Sequence, residues 1–283
     1  MSTITRAIES IEASKRLDPI AGRISGWVQK ATASSVVKSG LSGTWIGHPL
    51  HPPLTDLPIG AWTMASLLDI TGRGSMEAAA QRLVGVGVLA AVPTAASGAA
   101  DWSDAYGKEQ RVGLVHAVAN FAGTALQAAS WVARRNGRHR LGAALSLAGL
   151  SSTAAGGYLG GYLSFGLGLG VDHTAFEHPT AEWTDVAATT EVSEGQIIRV
   201  DAQGTPVALT RRDGQLRALS ATCVHAGGPL DEGRIDGDCL VCPWHGSKFR
   251  LADGTPVRGP ATMKQPTWQT RSTDGRILVR REG

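Results

Sequence analysis

The chain has 283 residues, room for two domains, and a formal charge of only +3 from 27 basic and 24 acidic side chains. So small and scattered a charge, with no basic stripe alternating with aromatics, argues against a nucleic-acid partner. Three cysteines in the whole chain exclude a disulfide scaffold.

From the N-terminus, "MSTITRAIESIEASKRLDPIAGRI" carries acidic residues early and lacks an unbroken apolar stretch, so it does not read as a cleavable secretory signal. Ile4, Ile8 and Ile11 share a helical spacing, which predicts an amphipathic helix lying against a membrane or the protein body. Charge then disappears in blocks. Residues 83–100, 112–133 and 141–171 contain no Asp, Glu, Lys or Arg, and a shorter run at 57–68 stops at Asp69. A bilayer core of roughly 30 Å asks for ~20 mainly apolar residues per helix, so these runs predict four membrane helices. Their Gly, Ala and Ser content suits close helix packing in lipid. A soluble bundle would need a charged face on each helix, and three of the runs have none. Trp102, Trp131, Tyr158 and Trp183 fall near the ends, as an aromatic belt requires.

After Val171 the texture changes. "DHTAFEHPTAEW" reads as a polar linker, and from Thr184 short β-like pieces such as "QIIRV", "PVALT" and "RILVR" alternate with Asp213-Gly214, Asp253-Gly254 and Asp274-Gly275 turns. The expected organisation is a multi-domain chain: an amphipathic segment at 1–42, an all-α four-helix transmembrane domain at 43–175, a linker at 176–183, and an all-β domain at 184–283.

All three cysteines lie in "CVHAGGPLDEGRIDGDCLVCPWHGSKF", residues 223–249. Cys223-x-His225 and Cys242-x-x-His245 give two short loops, each with one thiolate and one imidazole. Two sulfurs and two nitrogens suit either tetrahedral zinc or a [2Fe-2S] cluster of mixed ligation. Cys239 has no partner and reads as a buried strand residue.

The C-x-H and C-x-x-H-G pair, their spacer, the β texture and "GPA" at 259–261 resemble the Rieske family over about residues 182–283. The resemblance implies a [2Fe-2S] cluster with one iron on Cys223 and Cys242 and the other on His225 and His245. It also implies a proline loop at Pro260 covering the cluster, and Ser247 donating to a cluster sulfur. The aromatic two positions on is Phe249, which cannot donate, and the clamping cysteines of respiratory members are replaced by Gly227 and Trp244. These departures place the domain nearer the ferredoxin-type members and predict an intermediate or low potential. Rieske oxygenases add a second iron domain, and the short tail after the cluster leaves no room for one.

"GTWIGHPLHPPLTDLPIGAW", residues 43–62, resembles the start of the DUF2231 family of four-helix predicted membrane domains, over about 43–175. With four crossings, His48, His51, Asp56, Asp101 and His116 fall on one side of the membrane, with Asn120 a turn beyond His116. Ionisable residues at such depth are candidates for function. Here they could ligate haem or metal, contact a quinone headgroup, or brace the Pro-rich turn. "RRNGRHR" at 134–140, with Arg73 and Arg82 near the other loop of that side, is placed in the cytoplasm by the positive-inside rule, which puts the β domain outside. Arg134-Arg135 could also act as an internal twin-arginine export signal.

The function expected is a membrane-anchored iron-sulfur protein carrying single electrons between a quinol or haem and a redox protein partner. The alternative is a ferredoxin-like module on a passive anchor serving a separate oxygenase or reductase. No complete catalytic site of its own is visible. A zinc-stapled β domain on a membrane scaffold is the non-redox alternative.

Overall fold

The computed structural model describes residues 3–72 and 75–281; Arg73 lies outside the described residues. The chain forms two compact units, residues 1–33 with 50–169, and residues 34–49 with 170–283.

The first unit is helical: α1 (Thr3–Ala13), α2 (Asp18–Ala31), α4 (His51–Thr71), α5 (Glu77–Trp102), α6 (Gly107–Arg135) and α7 (His139–Gly161), with α3 (Ser35–Ser42) belonging to the second unit. Helices α4 and α5 pack together, as do α6 and α7, and the ring closes through α5 on α6 and α4 on α7. Bare backbone permits these approaches. A Cβ at Gly87 would lie 2.3 Å from Trp62 Nε1, and one at Gly113 would lie 2.2 Å from Trp102 Cδ1. Polar side chains lock the faces: Gln127 Nε2 donates to Ser146 O at 3.0 Å, Ser146 Oγ donates back to Gln127 Oε1 at 3.0 Å, and Ser130 Oγ donates to Gly142 O. Inside an apolar bundle such groups must find partners or carry the full cost of desolvation.

Among the described residues two helices, Glu77–Trp102 and Gly107–Arg135, are long and apolar enough to cross a membrane. The expectation of four such spans meets two here. Helices α4 and α7, 21 and 23 residues long, reach the length, but prolines, threonines and serines dilute their apolar content.

The N-terminal segment packs on the helical body. Ile8 is buried while Ile4 is exposed. Arg111 on α6 grips Asp18 through Nε–Oδ1 at 2.6 Å and Nη2–Oδ2 at 3.0 Å, and Tyr162 Oη donates to Glu12 Oε1 at 2.8 Å.

Arg134 corrects two expectations. Its side chain is fully buried and paired with Asp69 on α4, Nη1 to Oδ1 at 2.8 Å, while Nε donates to Ser130 Oγ at 3.2 Å. It is neither a presented half of a twin-arginine signal nor a free charge of the basic loop. Arg135, Arg138 and Arg140 are exposed and keep that loop positive.

The second unit contains two antiparallel sheets. The six-stranded one runs β1 (Thr184–Ala188), β10 (Arg276–Arg280), β9 (Thr267–Thr273), β4 (Gln215–Ser220), β3 (Thr205–Arg212) and β2 (Ile197–Ala202). The four-stranded one runs β5 (Arg234–Asp236), β6 (Cys239–Val241), β7 (Lys248–Arg250) and β8 (Pro256–Arg258). The Asp-Gly turns at 213–214 and 274–275 place both residues at positive φ, the geometry that matches strand twist in two-residue hairpins.

The stretch read as a polar linker is fastened to this unit instead of hanging loose. His173 N–H donates to Val224 O at 3.2 Å, and Glu177 Oε2 accepts from Ser220 Oγ at 2.7 Å and from Arg281 Nη1 at 2.6 Å. Trp183 has no place in an aromatic belt, because the guanidinium groups of Arg271 and Arg280 stand 4.6 and 4.7 Å from its ring. Cys239 sits on β6 half-buried, less enclosed than expected.

Candidate metal centre

Two loops of the small sheet's region carry the Cys/His pairs, and their backbones repeat one design. Cys223 N–H donates to Gly228 O at 2.9 Å, and Gly227 N–H returns a bond to Cys223 O at 2.9 Å. In the second loop Cys242 N–H donates to Ser247 O at 2.9 Å, and Gly246 N–H returns to Cys242 O at 3.1 Å. Gly227 and Gly246 both have φ near +70°, the left-handed region that a Cβ disfavours. Each loop therefore turns tightly enough to aim a thiol and an imidazole the same way.

Thiol meets thiol, and imidazole meets imidazole. The thiols of Cys223 and Cys242 are buried and hydrogen-bonded to each other, and the His225 and His245 ring centres are 5.0 Å apart at 84°. Two imidazoles on adjacent corners of a tetrahedral metal, with bonds of about 2.0 Å, set their ring centres at roughly this separation. The bond from Cys223, opposed by burial and aided by the N–H groups of Trp244 and His245, holds the Cys242 thiol down at about 7. The same contact and burial push the Cys223 thiol up. Burial, then the nearby His245, Lys38 and His173, lowers His225 to about 3, so its ring is neutral, as a metal ligand must be. Thiols supplied with N–H donors and neutral rings fit a group of the [2Fe-2S] kind. Bound there, it supplies reversible one-electron chemistry, and hydrogen bonds to the sulfurs raise its potential.

Around this centre the proline loop carries Pro260, and Ala261 N–H donates to Ser247 Oγ at 3.0 Å, which leaves the Ser247 hydroxyl hydrogen to donate elsewhere. Phe249 is fully buried in the core and serves packing.

Three features had no local signal in the sequence. Gln265 is buried and plugs the first loop: Oε1 accepts from Val224 N–H at 3.0 Å, and Nε2 donates to Ser220 O at 2.8 Å and Thr222 O at 2.7 Å. Residues 34–49 pack on the proline loop, with Gly259 N–H donating to Ser39 Oγ at 3.1 Å and Thr44 Oγ1 donating to Ala261 O at 3.0 Å. This brings the buried Lys38 near enough for its charge to act on His225. A fixed positive charge favours the more negative reduced centre. Lys38→Met is expected to lower the midpoint potential, on the order of tens of millivolts, in a redox titration at neutral pH.

The residues singled out in the helical half divide. His51 and His116 come together, ring centres 6.4 Å apart. His48 lies in the other unit, exposed, with Nδ1 2.8 Å from Pro49 O. Asp56 is exposed on α4, and Asp101 is half-buried near the end of α5. Asn120 does stand one turn beyond His116, donating to its carbonyl at 2.9 Å.

A β domain with two Cys/His loops and a proline loop defines a Rieske-type electron-transfer protein. The Rieske [2Fe-2S] domain family model matches residues 182–269, and a model described as a predicted membrane protein (DUF2231) matches 47–173. Ferredoxin CarAc of Metapseudomonas resinovorans is 34% identical over 98 residues, covering 34% of this chain and 92% of that protein. The ferredoxin component of the naphthalene 1,2-dioxygenase system of Pseudomonas aeruginosa is 26% identical, covering 35% of this chain and 96% of its own length. Among solved structures, the ferredoxin of carbazole 1,9a-dioxygenase from Nocardioides aromaticivorans IC177 is 24% identical, with a TM-score of 0.34, covering 35% of this chain and 98% of that one. This chain belongs to the Rieske [2Fe-2S] family through its C-terminal domain, and carries a [2Fe-2S] cluster fused to a DUF2231 domain.

Proposed function

We propose that this protein is a membrane-anchored single-electron carrier whose cluster is held by Cys223 and Cys242 on one iron and His225 and His245 on the other. The pairing of the two thiols and of the two imidazoles at the ends of two matched loops supports the reading. Electrons come from a quinol or a haem served by the helical domain and pass to a redox protein. The helices cross the membrane several times, and the exposed Arg135, Arg138 and Arg140 favour a cytoplasmic loop there, with the β domain outside.

A second reading has its own support. One relative is by name a ferredoxin and the other the ferredoxin component of a dioxygenase system, which favours a ferredoxin-like module on a passive anchor, feeding an oxygenase or reductase. The midpoint potential separates the two. Mixing the purified chain in detergent with a short-chain quinol should bleach the cluster's visible bands if the first reading holds. Reduction only by a low-potential flavoprotein reductase, with none by quinol, supports the second and ends the first.

A further inference from the structure

The helical unit contains a second candidate redox site. His51 opens α4 and His116 lies within α6, and their ring centres are 6.4 Å apart with the ring planes at 77°. Each ring is fixed by a backbone carbonyl of a third helix. His51 Nδ1 is 3.0 Å from Thr94 O on α5, and His116 Nδ1 is 2.8 Å from Gly156 O on α7. A carbonyl only accepts, so both Nδ1 atoms carry the proton, and in the neutral rings both Nε2 atoms present a lone pair. Orientation of a histidine through a backbone carbonyl is the usual outer support of a metal-ligating imidazole.

Glycines on the facing helices leave room for both rings. A Cβ at Gly98 would stand 2.5 Å from His51 Cε1 and 3.1 Å from its Nε2, and one at Gly160 would stand 3.0 Å from His116 Cε1. Asn120 Nδ2, already committed to the His116 carbonyl at 2.9 Å, lies 3.3 Å from His116 Nε2 and would yield to a stronger partner.

Ring separation points to the kind of centre. Two imidazoles on opposite sides of one metal, with bonds of about 2.0 Å, place their ring centres roughly 6 Å apart, wider than the adjacent pair of the cluster site. Among the described residues no third His, Cys, Asp or Glu joins them to complete a shell for a bare ion. A haem brings four nitrogens of its own and needs only two axial ligands from the protein.

We propose that His51 and His116 are the two axial ligands of one haem bound within the helical unit. The proposal rests on the reading that this unit serves a redox donor, and makes that donor a haem.

The test uses the full chain, purified in detergent from haem-replete cells or incubated with haemin. The expected result is one haem per chain by pyridine haemochromogen assay, with a six-coordinate, low-spin spectrum. His51→Ala and His116→Ala should each abolish that spectrum while the cluster's EPR signal persists, which certifies folding. No haem uptake by the parent protein overturns the proposal, as does a five-coordinate high-spin spectrum, or a low-spin band that survives both replacements. Quinone binding without haem also overturns it. Because the cluster signal is read separately, loss of the cluster assignment and loss of the haem assignment are distinguishable.

Discussion

Cys242→Ser protein should contain no [2Fe-2S] signal by EPR and no red-brown colour, however much iron and sulfide is supplied. Cys242 is the thiol already held near its ionised form at about 7, by the bond from Cys223 and by N–H groups of Trp244 and His245. A serine hydroxyl in the same cradle stays protonated at neutral pH and offers a hard, weak ligand where a soft thiolate is needed. The loop itself keeps its backbone bonds, Cys242 N–H to Ser247 O and Gly246 N–H to Cys242 O, since these use no side chain. The variant should therefore remain folded by circular dichroism while losing the cluster. Cys239→Ser, on β6 just before the second loop and outside the two Cys/His pairs, should retain the signal in full.

Arg134→Ala should be the most damaging single change in the helical unit. Its side chain is fully buried, and Asp69, only 10% exposed, would be left without its cation. Breaking a buried pair by deleting one partner costs about 3–5 kcal/mol, because the remaining charge stays desolvated. The cost should appear as a lowered unfolding midpoint in detergent, followed by far-UV circular dichroism. Replacing both residues, Arg134→Leu with Asp69→Leu, removes the stranded charge and should recover much of the loss. Equal damage from the double variant would mean that packing, and not charge compensation, sets the role of this pair.

The two Cys/His loops were legible because covalent spacing alone brings a thiol and an imidazole two or three residues apart into one loop. The β domain was legible for a similar reason: residues such as Asp213-Gly214 declare their own turns. The rest depends on contacts far apart in sequence. Nothing in "SSVVKSGLSGTWIG" shows that it will sit on the proline loop through Ser39 and Thr44. Gln265 looks like any polar residue until three backbone groups are found around it. Arg134 was misread because a basic residue beside other basic residues looks like a solvated loop, whereas its partner Asp69 is 65 residues away. The His51 and His116 pair was half visible. Topology put them on one side, but only the carbonyls of Thr94 and Gly156 fix which nitrogens they offer. His48, three residues from His51, goes to the other unit.

The most direct test of the central claim is pulsed EPR at nitrogen frequencies on the reduced protein. Two strongly coupled imidazole nitrogens, one lost in His225→Cys and one in His245→Cys, are the predicted result. A reduced cluster with no strong nitrogen coupling, or a colourless zinc-loaded protein with no reducible signal, would contradict it.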